Sequence, residues 1–175
     1  MKHEPKRPGA NERGQPEVRW CGYRSPLGPM RLVARGDALA GLYFDGQKYD
    51  VEIGEGWSES PRDPVLREAM RELDEYFAGC RVRFEVKLAP QGTGFQRAVW
   101  RAIAAVPAGR TISYAELARR IGSPRAVRAA GLANGQNPIC IVLPCHRVIG
   151  SNGTLTGYGG GLPRKKWLLE HEGAL

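Results

Sequence analysis

The chain has 175 residues (19.2 kDa), 42% hydrophobic and 25% charged; this fits one compact soluble domain or two small ones and excludes collagen-like and wholly disordered classes. Net charge is +8, yet residues 1–91 balance 15 basic side chains against 15 acidic ones, while residues 92–175 carry 11 basic and three acidic. No run approaches the roughly 18 apolar residues of a membrane span, and the charged N-terminus lacks the apolar core of a secretory signal.

Residues 1–16, rich in Pro and Gly, read as a disordered tail. A first unit, 17–90, contains two strand-like stretches, 30–34 and 39–44, on either side of the turn signal Arg35-Gly36-Asp37. Residues 45–61 are loop-like. Val65, Leu66, Ala69, Met70, Leu73, Tyr76 and Phe77 then recur at helical spacing, and Gly79 ends that helix. Over 81–88, Val82, Phe84, Val86 and Leu88 alternate with charged residues, the pattern of a half-buried strand. Pro90-Gln91-Gly92-Thr93-Gly94 is the natural linker to a second unit, 91–175.

There, Phe95, Ala98, Val99, Ala102, Ile103 and Val106 predict a helix stopped by Pro107 and Gly109. Ser113-Tyr114-Ala115-Glu116 predicts a capping box that opens a short helix, broken at Gly122. Ser123-Pro124 predicts a restart, Ser as N-cap and Pro at the first helical position, running to Gly135. Two short helices joined by a tight glycine turn make a helix-turn-helix. Residues 139–143 form a buried apolar run ended by Pro144, 157–161 are glycine-rich, and a last helix over 163–172 buries Trp167 and Leu168. The fold class is α/β in the first unit and mainly helical in the second.

The charge excess of the second unit points to a polyanion such as DNA or RNA. Four cysteines, Cys21, Cys80, Cys140 and Cys145, are too few and too scattered for a disulfide scaffold or a paired-cysteine zinc site, which sets a reducing, cytoplasmic expectation. Cys140, in an apolar stretch, reads as inert core. Cys145-His146 is different in chemistry: a thiol with an ordinary pKa near 8.5 needs a base to become a nucleophile. An imidazole supplies one, directly or through a water, once a turn brings the two neighbours to one side. A buried structural cysteine beside a core histidine is the plainer reading of the same dipeptide. Glu172 or Glu170 would orient the imidazole, and helical periodicity does not choose between them. Small side chains around Arg125 and Arg128 let a helix backbone approach a groove wall. Asn137 reads either as a turn residue or as a brace for the Cys145 turn.

SPRAVR at 123–128, NGQNP at 134–138, LPCHRV at 143–148, GYGGG at 157–161 and WLLEHEG at 167–173 occur in that order and at close spacing. Together they resemble the O6-alkylguanine-DNA alkyltransferases, or methylated-DNA–protein-cysteine methyltransferases. The strong match runs from Phe95 to Gly173; the first unit is similar only in layout and in Ser25-Pro26-Leu27-Gly28-Pro29. The resemblance implies a ribonuclease-H-like N-terminal α/β domain without catalytic role and a C-terminal domain that binds double-stranded DNA through the minor groove. It implies irreversible transfer of an alkyl group from O6-alkylguanine, and less readily from O4-alkylthymine, after base flipping. Cys145 would be the acceptor, His146 its water-mediated base, Glu172 the orienting acid, and Tyr114 the hydroxyl at the guanine and its 3′ phosphate. Asn137, Tyr158, Gly159 and, more weakly, Ser151 would line the pocket. Arg128 would fill the vacated stack, with Ser123, Ala126, Ala129 and Gly131 beside it on the DNA. No cofactor is implied, no membrane, and a monomer in the free state. Some relatives hold zinc; Cys21, Cys80 and His3 make no convincing ligand set, so no metal is expected. A DNA-binding regulator without chemistry and a Cys–His hydrolase are the rival readings.

Overall fold

The computed structural model describes Gly14 and residues 16–175. The tail expected over 1–16 and the candidate ligand His3 therefore lie outside the described residues, Gly14 and Pro16 excepted.

The chain is α+β. Strands β1 (Val18–Ser25), β2 (Gly28–Arg35), β3 (Ala38–Phe44) and β4 (Ser58–Glu59) form one sheet in the order β3-β2-β1-β4, antiparallel except for the parallel β1–β4 pair. Both hairpins turn on a glycine with positive φ, Gly28 and Gly36, a conformation that costs a residue without Cβ little. Helix α1 (Pro64–Phe77) starts as its sequence demands: Asp63 accepts from the amides of Val65 and Leu66, and Pro64 occupies the first turn. Its Leu66, Ala69, Leu73 and Tyr76 join Leu32, Leu39, Leu42 and Phe44 of the sheet in the core.

Residues 81–88 are not a strand. The Glu85 and Val86 amides donate to the carboxylate of Glu72, a fully buried acid on α1, and only the 87–89 stretch reaches β3, through Leu39 N to Lys87 O and Ala89 N to Leu39 O, 2.8 Å each. Alternation marked this segment, but Val82 is 64% exposed and its ladder partner is a side chain. β1 itself was not legible as a strand.

Beyond the linker come α2 (Gly94–Ala104), α3 (Tyr114–Arg120), α4 (Val127–Gly135) and α5 (Leu162–His171), with a two-stranded parallel pair, β5 (Ile112–Ser113) and β6 (Val148–Ile149). Thr93 and Gln96 close a full capping box on α2. The predicted box at Ser113 is only half formed: its hydroxyl accepts from Glu116 N, but the Glu116 carboxylate pairs with Arg119 and Arg120 instead. The restart at Ser123 also comes later than predicted. Ser123 to Ala126 is a turn, closed by Ala126 N to Ser123 O at 2.8 Å, and α4 begins at Val127 without a side-chain cap. Trp167 is half-buried rather than buried, its ring stacked on His171 at 4.7 Å, while Leu168 is in the core as predicted.

One core cluster spans both halves. The backbone of β3 takes up the 138–140 stretch (Leu42 N to Pro138 O, 2.8 Å; Cys140 N to Leu42 O, 3.1 Å), and the Arg164 guanidinium packs over the Phe44 ring at 4.4 Å. The segment leading to Cys145 is thus hung from the sheet.

Candidate active site

Cys145, His146 and Arg147 form a single 3-10 turn between Pro144 and β6. The backbone before it is bent twice. Ile141 has a φ of 70°, where a β-branched residue is strained, at the centre of a Val142 N to Cys140 O bond. Pro144, at φ −81° and ψ 65°, centres an inverse γ-turn closed by Cys145 N to Leu143 O at 2.8 Å. These bends replace an extended Cys-His pair, whose side chains would point apart.

Asn137 braces the turn. Its Nδ2 donates to Leu143 O at 2.6 Å and to Cys145 Sγ at 3.1 Å, and its Oδ1 accepts from Ile139 N at 2.9 Å. Asn134 Nδ2 donates to Cys145 O at 3.2 Å. Burial pushes the Cys145 thiol up, against the pull of the Asn137 amide and the Lys165 charge. Desolvation outweighs both at the resting sulfur.

His146 is fully buried, and its Nε2 lies 2.8 Å from Glu172 Oε1. A buried carboxylate flanked by Arg147 is ionised and accepts only, so Nε2 carries the proton and Nδ1 has a free lone pair. Desolvation holds the imidazole pKa down, more than Glu172 raises it, which keeps the ring neutral and able to accept. Of the two acids, Glu172 and not Glu170 is the one in hydrogen-bond contact with the ring. Burial opposes its charge, but bonds from His146 and from Arg147 (Nε to Oε2 2.8 Å, Nη2 to Oε1 2.9 Å) hold it well below the usual carboxylate range. A fourth bond comes from the N-terminal half: the Tyr76 hydroxyl of α1 donates to Oε1 at 2.8 Å.

Lys165 is fully buried as well. Its ammonium donates to Val148 O and to Thr156 O (2.8 Å), lies 3.5 Å from the Tyr114 hydroxyl, and burial lowers its pKa to about 8. Tyr114 donates to Thr156 O at 2.7 Å, so its hydroxyl sits on the glycine-rich loop. Sequence reasoning missed Lys165, Arg147, Tyr76 and Asn134 as parts of the site, and counted Arg147 and Lys165 among the charges open to a polyanion. The only signal was spacing: Lys165, Leu168, Leu169 and Glu172 share one helical face.

A cleft of about 390 Å³ opens between α4, through Gly131, Leu132 and Gly135, and the loop carrying Gly157, Tyr158 and Gly159. Tyr158, which lines it, packs against the core cluster that holds Cys145, and burial and then Cys145 push its phenol well up. Among the described residues, three buried side-chain polar atoms lack a partner: Asn134 Oδ1, His146 Nδ1 and Tyr158 OH. Unpaired buried polar atoms are costly and rare, and here all three belong to residues surrounding Cys145. Arg128 and Ala129 project into solvent from α4; Ser123, Ala126 and Gly131 are half-exposed, and a Cβ on Gly131 would stand 3.4 Å from the Tyr114 ring. Ser151 is exposed and hydrogen-bonds none of these residues.

The sequence pattern of the 6-O-methylguanine DNA methyltransferase ribonuclease-like domain matches residues 18–90, and that of the DNA binding domain of the same family matches residues 94–174. The chain belongs to the 6-O-methylguanine DNA methyltransferase family. A methylated-DNA–protein-cysteine methyltransferase of Methanosarcina acetivorans is 48% identical over 152 residues, 87% of this chain and 96% of that one. The enzyme of the same name in Mycolicibacterium paratuberculosis is 50% identical over 148 residues, 85% of this chain and 88% of its own. Among solved structures, Mycobacterium tuberculosis O6-methylguanine methyltransferase superposes with a TM-score of 0.81 at 46% identity, covering 90% of this chain and 93% of that one. Mycobacterium tuberculosis OGT in complex with DNA gives a TM-score of 0.81 at 45% identity, covering 89% and 93%. The sheet with α1 is accordingly the ribonuclease-like half of this methyltransferase, and α2 to α5 its helical half. No helix among the described residues is long and apolar enough to cross a membrane.

Proposed function

We propose that this methyltransferase repairs duplex DNA by moving the alkyl group of O6-alkylguanine to Cys145, once per molecule. The observation that carries the reading is a buried thiol next to a buried imidazole whose Nε2 is held by Glu172 and whose Nδ1 has no partner. In the reaction the Cys145 proton passes to His146, directly or through one water, and Glu172 stabilises the imidazolium. The sulfur attacks the sp³ alkyl carbon; an S–C bond forms, the C–O6 bond breaks, and the electron pair goes to guanine. Tyr114, turned from the Thr156 carbonyl to the base, and Lys165 behind it oppose that negative charge. The thiolate of an alkyl thioether is too poor a leaving group for the amines or water of the site to displace, so the acceptor is consumed.

Access requires flipping. Extrusion of the base costs a few kcal/mol, less for a poorly paired lesion. Arg128, exposed on α4, fits the vacated stack; Ser123, Ala126, Ala129 and Gly131 present a low surface for a groove wall. Tyr158 and the Gly159 backbone fit the base, with Ser151 on the adjoining loop. We place the division of labour at residues 17–90 and 91–175, and the site of action in the reducing cytoplasm, in keeping with four free cysteines. The relative solved with DNA supports the partner. Intact-mass spectrometry after mixing with duplex bearing O6-methylguanine tests the reading: one methyl gained, mapped to Cys145 and absent in Cys145→Ser. An unchanged mass in the natural protein overturns it.

A further inference from the structure

We infer that Lys48 and Tyr49, on the loop after β3, form the outer wall of the alkylguanine cleft and hold the everted nucleotide there: the Lys48 ammonium on a flanking phosphate, the Tyr49 ring against the alkylated base. The inference rests on the transferase reading above, and it gives the ribonuclease-like half a direct part in substrate binding.

Three observations converge on these residues. First, both line the 390 Å³ cleft opposite Gly131 and Gly135 of α4. The loop is tied to the active-site loop by Lys48 N to Gly159 O at 3.0 Å, and a Cβ on Gly159 would come within 3.3 Å of Gly135 O and 3.4 Å of Lys48 O. Three segments meet there at backbone distance, so a base entering beside Gly159 has this loop as a neighbour.

Second, Tyr49 has a φ of 63°. A non-glycine residue in the left-handed region is uncommon and, where bulky, marks a position the surroundings over-determine. The ring so placed is not buried. It is 41% exposed and forms an apolar rim with Leu132 (53%) and Leu162 (44%). An aromatic face at the mouth of a base-sized cleft is a stacking surface, which every nucleobase can use.

Third, the loop leaves one cation unpaired. Asp45 and Asp50 both turn to Arg31, at 3.8 and 3.3 Å. Lys48 pairs with no carboxylate among the described residues, and its ammonium sits 5.1 Å from the centre of the Tyr49 ring. A nucleotide leaving the duplex brings its phosphodiester to the rim of the pocket, where this charge waits.

Single-turnover transfer at sub-saturating duplex, read against free O6-benzylguanine, tests the assignment. Lys48→Ala should slow transfer from O6-methylguanine duplex by about three- to tenfold and lower the salt slope by about one, with free-base transfer within about twofold of the natural protein. Lys48→Arg should restore the duplex rate. Tyr49→Ala should slow both substrates. Both residues are exposed, and thermal unfolding verifies that the core is intact. A duplex rate and salt slope unchanged by Lys48→Ala, or a free-base rate unchanged by Tyr49→Ala, overturns the assignment. Failure of the natural protein on both substrates would instead sink the transferase reading, and this inference with it.

Discussion

Replacing Glu172 by Gln tests the electrostatics of the site most severely. The carboxylate accepts four hydrogen bonds, from Tyr76, His146 and twice from Arg147, at 2.8 to 2.9 Å, with its side chain 1% exposed. A glutamine keeps one acceptor oxygen, presents an NH₂ group to donors, and leaves the Arg147 guanidinium buried without its counter-charge. Breaking a buried pair from one side costs about 3–5 kcal/mol. Arg147 retains the Val106 carbonyl, so the lower end, about 3 kcal/mol, is expected. For a chain of this size that lowers Tm by roughly 6–12 °C, and in urea it moves the midpoint with m unchanged. The pH dependence carries the sign. Glu172 has its pKa depressed from an ordinary 4.5, so its contribution is complete above that value and drains away as pH falls toward the lower folded one. Glutamine does not titrate. The stability gap between the two proteins should therefore be widest at neutral pH and shrink below about pH 4.5. A gap under about 1 kcal/mol, or one that ignores pH, would refute the account of Glu172 as the ionised centre of the site.

Arg128→Ala should slow repair in duplex far more than transfer from free O6-benzylguanine; equal losses would contradict stack filling. Asn137→Ala removes the amide donor from the sulfur and strands the buried Ile139 N–H, at a cost of about 1–3 kcal/mol. The pH profile of iodoacetamide labelling at Cys145 should shift upward, and an unmoved profile would exclude Asn137 from tuning the thiol. Gly160→Ala places a Cβ 2.7 Å from Tyr158 Cε1 and 2.9 Å from Phe44 Cδ2. Tyr158 must give way, so transfer should fall even from the free base; a full rate would show that Tyr158 does not shape the pocket.

Much of this molecule is legible where one residue type has one physical reason to be present. Ser113 marks the start of α3 because a free amide needs an acceptor there. Gly36 marks a hairpin, and the α1 periodicity yields its buried face. The failures are polar residues acting where apolar ones are the rule. Lys165 and Glu172 occupy the buried face of α5 beside Leu168 and Leu169, so its apolar periodicity is weak. Glu72 takes the amides that a neighbouring strand would have taken, which leaves 81–88 alternating but unladdered. Cys145, His146 and Glu172 emerged from motif resemblance, whereas Tyr76 and Lys48 reach the site from distant sequence, and no local pattern announces a contact of that separation.

The phenol of Tyr76 makes the ribonuclease-like half a direct partner of the carboxylate that holds the imidazole. An excised residue 92–175 fragment would retain sulfur, imidazole and carboxylate, yet Oε1 would trade a fixed donor for bulk solvent. A chimaera carrying another ribonuclease-like half should stay reactive only where that half offers a hydroxyl at the same point of contact.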